Sequence, residues 1–125
     1  DEVLRRVGEC LRGALRRPGD VAARYGGEEF VAILPGTGED GAFFIADAFR
    51  EALSGLGIAH KAADKGVVTA SVGLATFTER DAGMNSTELV RRADEALYNA
   101  KDAGRDRVMG WRTRHEVRPV RGVRA

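Results

Sequence analysis

Residues 24–30 read Arg24-Tyr25-Gly26-Gly27-Glu28-Glu29-Phe30, between the apolar runs VAARY and FVAILP. Two glycines between two such runs predict a β-hairpin, because both tip positions accept positive φ angles. Glycine also lets backbone N–H groups approach a phosphate, and neighbouring carboxylates suit Mg²⁺, which binds one or two carboxylates together with substrate phosphates. The stretch therefore predicts a nucleotide site at the hairpin tip. The alternative is a plain turn in which Glu28 and Glu29 are only solvated.

Length and composition are those of one globular domain. The chain has 125 residues, and its hydrophobic content of 43% is enough to form a core. The single cysteine, Cys10, excludes an intrachain disulfide and a cysteine-based zinc site. No apolar run approaches the roughly 18 residues of a membrane span, and no signal peptide is recognisable. We therefore expect a cytoplasmic domain, which is compatible with a membrane tether in upstream segments of a longer parent protein.

The charge is distributed unevenly along the chain. Residues 111–125 carry five arginines against Glu116, a net charge of +4, so the overall charge of +1 leaves −3 for residues 1–110. This predicts a domain over residues 1–110 followed by a basic C-terminal tail over residues 111–125. Such a tail is either a solvated terminus or a site of attraction for anions. Trp111 is its sole aromatic residue, so we expect no nucleic-acid partner.

Helices and strands are predicted to alternate, which indicates an α+β sheet covered on one face. Apolar residues at helical spacing predict a first helix that stops before Pro18. The other predicted elements are a helix from a Thr37-x-x-Asp40 capping box to near Gly55, a short extended segment near residues 57–62, a strand over Val67–Phe77, a helix from Asn85 or Ser86 to Gly104, and a closing strand over Arg107–Trp111.

Four motifs in order carry a resemblance to a known family. GGEEF, together with RPGD at residues 17–20, SVGLA at residues 71–75 and ADEALYNAKDAGRDRV at residues 93–108, resembles the GGDEF family of diguanylate cyclases. Members of that family join two GTP molecules into cyclic di-GMP. The match extends from Asp1 to about Val108. The resemblance implies the palm-like, ferredoxin-like fold of nucleotide cyclases, and catalysis by a homodimer in which each domain brings one GTP.

The resemblance also shows a departure from the family pattern. Family members carry a first strand that ends in a DxDxFK-like motif with a metal-binding Asp, followed by an Asn that helps to read guanine. Neither occurs in this sequence, which therefore resembles about the last two-thirds of the domain and lacks a strand that is central in the family's sheet. Asp1 matches the second guanine-reading position. We expect this chain alone to be inactive, and a sensor domain to precede it in the parent protein.

The resemblance assigns roles to individual residues. Glu28 is the expected metal ligand and proton acceptor, and Glu29 supports the same metal, Mg²⁺ or Mn²⁺, or the reacting hydroxyl. Both carboxylates can serve one site only if Glu28 lies within the turn, because strict strand alternation would point them to opposite faces. Gly26 and Gly27 are expected to provide backbone contacts to the nucleotide.

Lys101 and Arg105 match the triphosphate-binding positions of the family. Their spacing of four predicts that they share one face at the C-terminus of a helix. The alternative is a pair of solvated basic residues that favour the helix dipole.

Arg17 and Asp20 match the family's RxxD product-inhibition site, where cyclic di-GMP binds back. The alternative is an ordinary helix-ending Pro-Gly-Asp turn. Two other functions stay open: a catalytically inactive cyclic di-GMP-binding sensor module, and, more weakly, a nucleic-acid-associated protein suggested only by the basic tail and the polymerase-like palm architecture.

Overall fold

Helices and strands alternate over residues 1–111, the part of the chain that the computed structural model describes. In chain order the elements are α1 (Glu2–Ala14), β1 (Val21–Gly26), β2 (Glu29–Ile33), α2 (Glu39–Gly55), β3 (Val72–Leu74), a 3₁₀ turn (Glu79–Asp81), α3 (Ser86–Asp102) and β4 (Val108–Gly110). Strands β1 and β2 form an antiparallel hairpin, and β3 pairs with β4 in parallel. None of the helices in this part is long and apolar enough to cross a membrane.

The core lies where α2 meets both halves of the fold. On one side Leu11 of α1 packs with Phe49, Leu53 and the following Ile58, and partly buried residues of the hairpin complete this cluster. On the other side Phe43 of the same helix packs with the two buried strand residues Leu74 and Val108. Burying the apolar face of α2 in this way holds the hairpin half and the β3–β4 half together.

Helix α3 lies in direct backbone contact with β3 at Gly73. A Cβ atom at this position would lie 2.2 Å from the backbone nitrogen of Leu97 and 2.3 Å from the carbonyl oxygen of Ala93. Only glycine fits this approach, which explains the glycine in the SVGLA motif. The contact fixes the position of α3 relative to the sheet.

The ends of α3 agree with the prediction. The Asn85 side chain caps the helix by accepting a hydrogen bond from the Glu88 N–H at 2.9 Å, as the N-cap preference predicts. At the other end the helix stops just before Gly104, whose φ of 123° suits only glycine. The closing strand is confirmed as β4.

The long predicted strand over Val67–Phe77 is wrong, because only Val72–Leu74 forms a ladder. A strand persists only where a neighbour pairs with it, and β4 offers three partners to β3. Upstream, Val67 forms one isolated antiparallel bridge with Ala59, so the extended segment near residues 57–62 is present only as a single pairing.

The predicted capping box at Thr37 is also wrong. The N-cap of α2 is Gly38, which has no side-chain capping bond. The Thr37 hydroxyl donates instead to the Pro35 carbonyl at 3.1 Å and accepts a short hydrogen bond from Arg17. The Thr37 hydroxyl is therefore bonded to Pro35 and Arg17 and does not cap α2.

Candidate functional site

The hairpin tip is a two-residue turn made by Gly27 and Glu28. Gly26 pairs with Glu29 across the turn, and the register shifts between Arg24 and Gly26. Gly27 has a φ of 50°, which explains the glycine at this position. The prediction placed the turn one residue earlier, at Gly26 and Gly27. The shift leaves Glu28 within the turn, which is the condition under which both carboxylates can serve one site.

Arg24 of strand β1 stabilises the turn at the hairpin tip. Its Nε and Nη2 atoms donate to the Gly27 carbonyl oxygen at 3.0 and 2.7 Å. Two donors on one planar guanidinium restrict the orientation of this peptide more than one flexible donor does. Arg24 was not among the residues predicted to form the site. Its signal was an arginine two residues before the Gly-Gly pair, within reach of the turn carbonyl.

A cavity of about 440 Å³ lies between α1 and the hairpin. Asp1, Leu4, Gly8, Arg24 and Phe30 are among the residues that line it. Gly8 allows the close approach, because a Cβ there would lie 3.3 Å from the Phe30 ring. The structure thus brings Asp1 to the same cavity as Arg24. One Asp1 carboxylate oxygen caps α1 by accepting from the Val3 N–H at 2.7 Å.

A second, smaller cleft of about 210 Å³ lies between the hairpin and α3. It is lined by Glu29, Lys101 and three further α3 residues, Asp94, Leu97 and Tyr98. An acid from the GGEEF motif and the predicted phosphate-binding lysine are therefore neighbours in space, although they lie far apart in sequence. The cleft offers one cation, Lys101, and two carboxylates, Glu29 and Asp94, to a ligand.

The prediction that Lys101 and Arg105 share a helix face is wrong. Helix α3 ends at Asp102, and Arg105 lies beyond it with a φ of 66°. Gly104 turns the backbone out of the helix, and the Arg105 N–H returns to the Ala100 carbonyl at 2.9 Å. The position of Arg105 is therefore set by a loop and not by helical spacing.

Arg17 and Asp20 form a closed ion pair at the opposite end of the hairpin from the tip. The guanidinium donates from Nη2 to one carboxylate oxygen at 2.8 Å and from Nε to the other at 3.1 Å. This hydrogen bonding holds the pKa of the Asp20 carboxyl below its ordinary value. The Asp20 side chain is 1% exposed, whereas that of Arg17 is 45% exposed. The pair also ends the turn after α1, where the Asp20 N–H bonds the Arg17 carbonyl at 3.0 Å.

The acidic residues at the tip suit a metal only in combination with a phosphate ligand. Among residues 1–111 no group of three or more acidic, histidine or cysteine side chains could hold a metal ion by itself. Glu28 and Glu29 are both exposed at the tip. Two carboxylates fit Mg²⁺ or Mn²⁺ when nucleotide phosphates and water complete the coordination, which is the usual arrangement at phosphoryl-transfer sites.

The hairpin tip, the two clefts and the α+β fold together define a candidate nucleotide-binding domain. The family described as "Diguanylate cyclase, GGDEF domain" matches residues 1–107. The chain therefore belongs to the GGDEF family, as the motifs predicted. Most of the described structure lies within this match.

Individual relatives agree with the family match. The chain is 38% identical over 108 residues to "Diguanylate cyclase DgcP" of Pseudomonas aeruginosa, covering 86% of this chain and 15% of the relative. It is 42% identical over 113 residues to "Response regulator PleD" of Caulobacter vibrioides, covering 88% and 24%. The chain thus spans a quarter or less of the length of these two relatives.

Solved structures confirm the fold class. The GGDEF domain of DgcB from Caulobacter crescentus, in complex with c-di-GMP, superposes with a TM-score of 0.75 at 32% identity, over 87% of this chain and 63% of that chain. The active GGEEF domain of a diguanylate cyclase from Vibrio cholerae gives a TM-score of 0.75 at 27% identity, over 90% and 69%. The predicted GGDEF-type α+β fold is correct.

Proposed function

We propose that residues 1–110 are part of a diguanylate cyclase domain that condenses two GTP molecules into cyclic di-GMP with release of pyrophosphate. One observation carries the proposal: the GGEEF hairpin lines a cavity with Asp1, through Arg24 and Phe30, and a cleft with Lys101, through Glu29. An acid that reads the base and a cation that binds phosphate, both beside one hairpin with acidic residues at its tip, are parts that a nucleoside triphosphate requires. The match of the family to residues 1–107 supports the same activity.

Each residue has a role in this reaction. The 3′-hydroxyl of one GTP attacks the α-phosphorus of the other, so the protein must align the two substrates and stabilise the developing charge. Asp1 accepts hydrogen bonds from guanine in the α1 cavity, while Lys101 and Arg105 bind the triphosphate. Gly26 and Gly27 leave room for the nucleotide beside the backbone.

The two tip carboxylates would hold Mg²⁺ or Mn²⁺. When bound, the ion neutralises phosphate charge and favours deprotonation of the attacking hydroxyl. Glu28 is the direct ligand and the proton acceptor, because it lies in the turn itself. Glu29, at the start of β2 and beside the Lys101 cleft, supports the same ion or the hydroxyl.

Two copies of the domain face each other in the active species, since each copy brings one GTP. The homodimer and a sensor domain in a longer parent protein are parts of this proposal. The first residue of the predicted basic tail contacts the domain, since the Trp111 backbone N–H donates to the Leu74 carbonyl oxygen at 2.9 Å, whereas residues 112–125 lie outside the described residues.

Arg17 and Asp20 form the product-inhibition site of this proposal. The exposed guanidinium can present donors to a guanine edge or a phosphate, and the carboxylate, which Arg17 covers in this structure, can accept guanine N–H groups once Arg17 turns to the ligand. The same pair favours one alternative function, a catalytically inactive module that binds cyclic di-GMP without making it.

The test is turnover of GTP with Mg²⁺ by a protein in which a DxDxFK-type strand is joined ahead of Asp1, with cyclic di-GMP measured by liquid chromatography and mass spectrometry. Glu28→Gln should abolish product formation, while Glu79→Gln, an exposed acid of the 3₁₀ turn, should leave it unchanged. Calorimetry with cyclic di-GMP is run on the same samples. Binding of cyclic di-GMP without any turnover would favour the sensor module, and failure to bind either nucleotide would refute both functions.

A further inference from the structure

Two consecutive residues after α3 adopt the left-handed backbone conformation without being glycine. Arg105 has a φ of 66° and Asp106 a φ of 47°. Non-glycine residues rarely adopt this conformation, and aspartate tolerates it better than arginine because its short side chain can bond locally. Such backbone persists where surrounding contacts determine it, and it concentrates at functional sites. The loop that carries Arg105 is therefore held from outside.

Asp106 makes the contacts that fix this loop to other parts of the fold. One carboxylate oxygen accepts from Arg50 Nη1 at 3.0 Å, and the other accepts a short hydrogen bond from Lys65. Its backbone N–H donates to the Ser71 hydroxyl at 3.2 Å. The Asp106 side chain is 7% exposed. Burial alone raises the pKa of this carboxyl, but the hydrogen bonds from Lys65 and Arg50 outweigh it and lower the pKa, so Asp106 is charged.

The cations that hold Asp106 come from other parts of the fold. Arg50 belongs to the packed helix α2 and is itself oriented by Asp47, to which its Nε donates at 2.8 Å. The chain leaving the loop is fixed as well, since the Arg107 carbonyl accepts from the Val72 N–H at 2.9 Å. The Asp106 side chain is thereby joined to α2, and the backbone that follows it is joined to β3.

We propose that Asp106, clamped by Arg50 and Lys65, is a positioning residue that sets the backbone of Arg105 for triphosphate binding. The inference rests on the proposed function, in which Arg105 contacts the phosphates. Arg105 lies beyond the end of α3, so helical geometry does not orient it. Among residues 1–111 its own backbone bonds reach local partners alone, Ala100 and Arg107. The neighbouring carboxylate adds two bonds, from Arg50 and Lys65, to the single bond from the Asp106 N–H to Ser71. Losing the carboxylate leaves the peptide that joins Arg105 to Asp106 with that one bond beyond the loop.

The test measures binding of GTP with Mg²⁺ and of inorganic triphosphate to the whole chain by isothermal titration calorimetry. The variants are Arg105→Ala, Asp106→Ala, Asp106→Asn and the double variant Arg105→Ala with Asp106→Ala. Asparagine keeps the preference for left-handed backbone but removes the charge. The matched control is Asp81→Asn, which removes another ion-paired carboxylate: Asp81 accepts from Arg92 at 3.0 Å, and its side chain is 10% exposed.

Arg105→Ala should weaken triphosphate binding about tenfold or more, the effect of one charged hydrogen bond. Asp106→Ala should approach the same loss, Asp106→Asn should lie between it and the wild type, and Asp81→Asn should change affinity less than about twofold. In the Arg105→Ala background, Asp106→Ala should cost nothing further. This non-additivity identifies action through Arg105, which a general structural role would not produce.

The outcomes separate this inference from the proposed function. Wild-type affinity in Asp106→Ala, with Arg105→Ala weakened, would overturn the positioning role alone. Equal losses from Asp106→Ala in both backgrounds would also overturn it, because they would show a general structural effect. Failure of the wild type to bind, or wild-type affinity in Arg105→Ala, would refute the phosphate role of Arg105 and the inference with it. Where Asp106→Ala does not fold, Asp106→Asn provides the same comparison.

Discussion

Replacing Gly73 with alanine should separate α3 from the sheet and lower the stability of the whole domain. The added Cβ would lie 2.2 Å from the Leu97 nitrogen and 2.3 Å from the Ala93 carbonyl oxygen, whereas real Cβ contacts remain above 3.0 Å. The helix backbone must therefore move by about 0.8 Å, which a rotamer change cannot accomplish. We expect a loss of about 3 kcal/mol or more in the free energy of unfolding, at the upper end of overpacking costs.

The assay is urea unfolding monitored by circular dichroism, together with a thermal melt in which the midpoint should fall by about 10 °C or more. Gly13→Ala is the matched control, since a Cβ at this α1 position meets nothing within 4 Å. The same substitution should there stabilise the protein by about 0.5–1 kcal/mol through helix propensity. A melting temperature of Gly73→Ala within a degree or two of the wild type would refute the packing argument.

Three further predictions concern catalysis, regulation and pH. With a DxDxFK-type strand joined ahead of Asp1, Glu28→Gln should abolish turnover but keep the wild-type circular dichroism spectrum, because it removes the charge and not the size; near-normal rates would exclude its role. Arg17→Ala in the same protein should raise the cyclic di-GMP concentration needed for inhibition about ten- to a hundredfold, with initial rates unchanged. Equal affinities of the wild type and Arg17→Ala for cyclic di-GMP by calorimetry would show that the RPGD segment is only a helix-ending turn. Hydrogen bonds from Arg91 and Arg92 lower the pKa of Glu88 to about 2 from 4.5. Its contribution to stability is therefore complete above pH 4.5 and is lost as the pH falls towards 2, so urea unfolding should show a shallower acid dependence in Glu88→Gln. An identical acid dependence of urea unfolding in the wild type and in Glu88→Gln would contradict this prediction.

The local signals of the sequence predicted most of the elements. Helix α1 ends before Pro18, Asn85 caps α3, and α3 ends before Gly104. Each of these signals depends only on a few neighbouring residues. Strand length was not predictable in this way. The alternating run over Val67–Phe77 has the composition of a strand, but only Val72–Leu74 has a ladder partner in the described fold.

The candidate site shows the same division between local and distant contacts. The glycines and acids of the hairpin tip were identified from sequence, because a two-residue turn constrains its residues strongly. The contacts that position the loop at Arg105 were not predicted, because they join Asp106 to Arg50 and Lys65. These residues lie 56 and 41 residues away from Asp106 in sequence. A spacing of four suggested a helical face instead. Gly104 was the local signal that the helix ends before Arg105, and the spacing of four did not take it into account.

The proposed substrate site and the proposed regulatory site differ in whether their charged side chains are already paired within the protein. Within residues 1–111 the structure gives no ion pair to Glu28, Glu29, Lys101 or Arg105, so their charges are available to a metal and to phosphates. Arg17, by contrast, already satisfies Asp20 with two hydrogen bonds and also bonds Thr37. A ligand at the RxxD site must replace bonds that the protein makes with itself, and this lowers its net gain. An extended hairpin strand separates the two sites by roughly 15–20 Å, at about 3.3 Å per residue. Substitutions at one should therefore change binding there without altering the charges that the other presents.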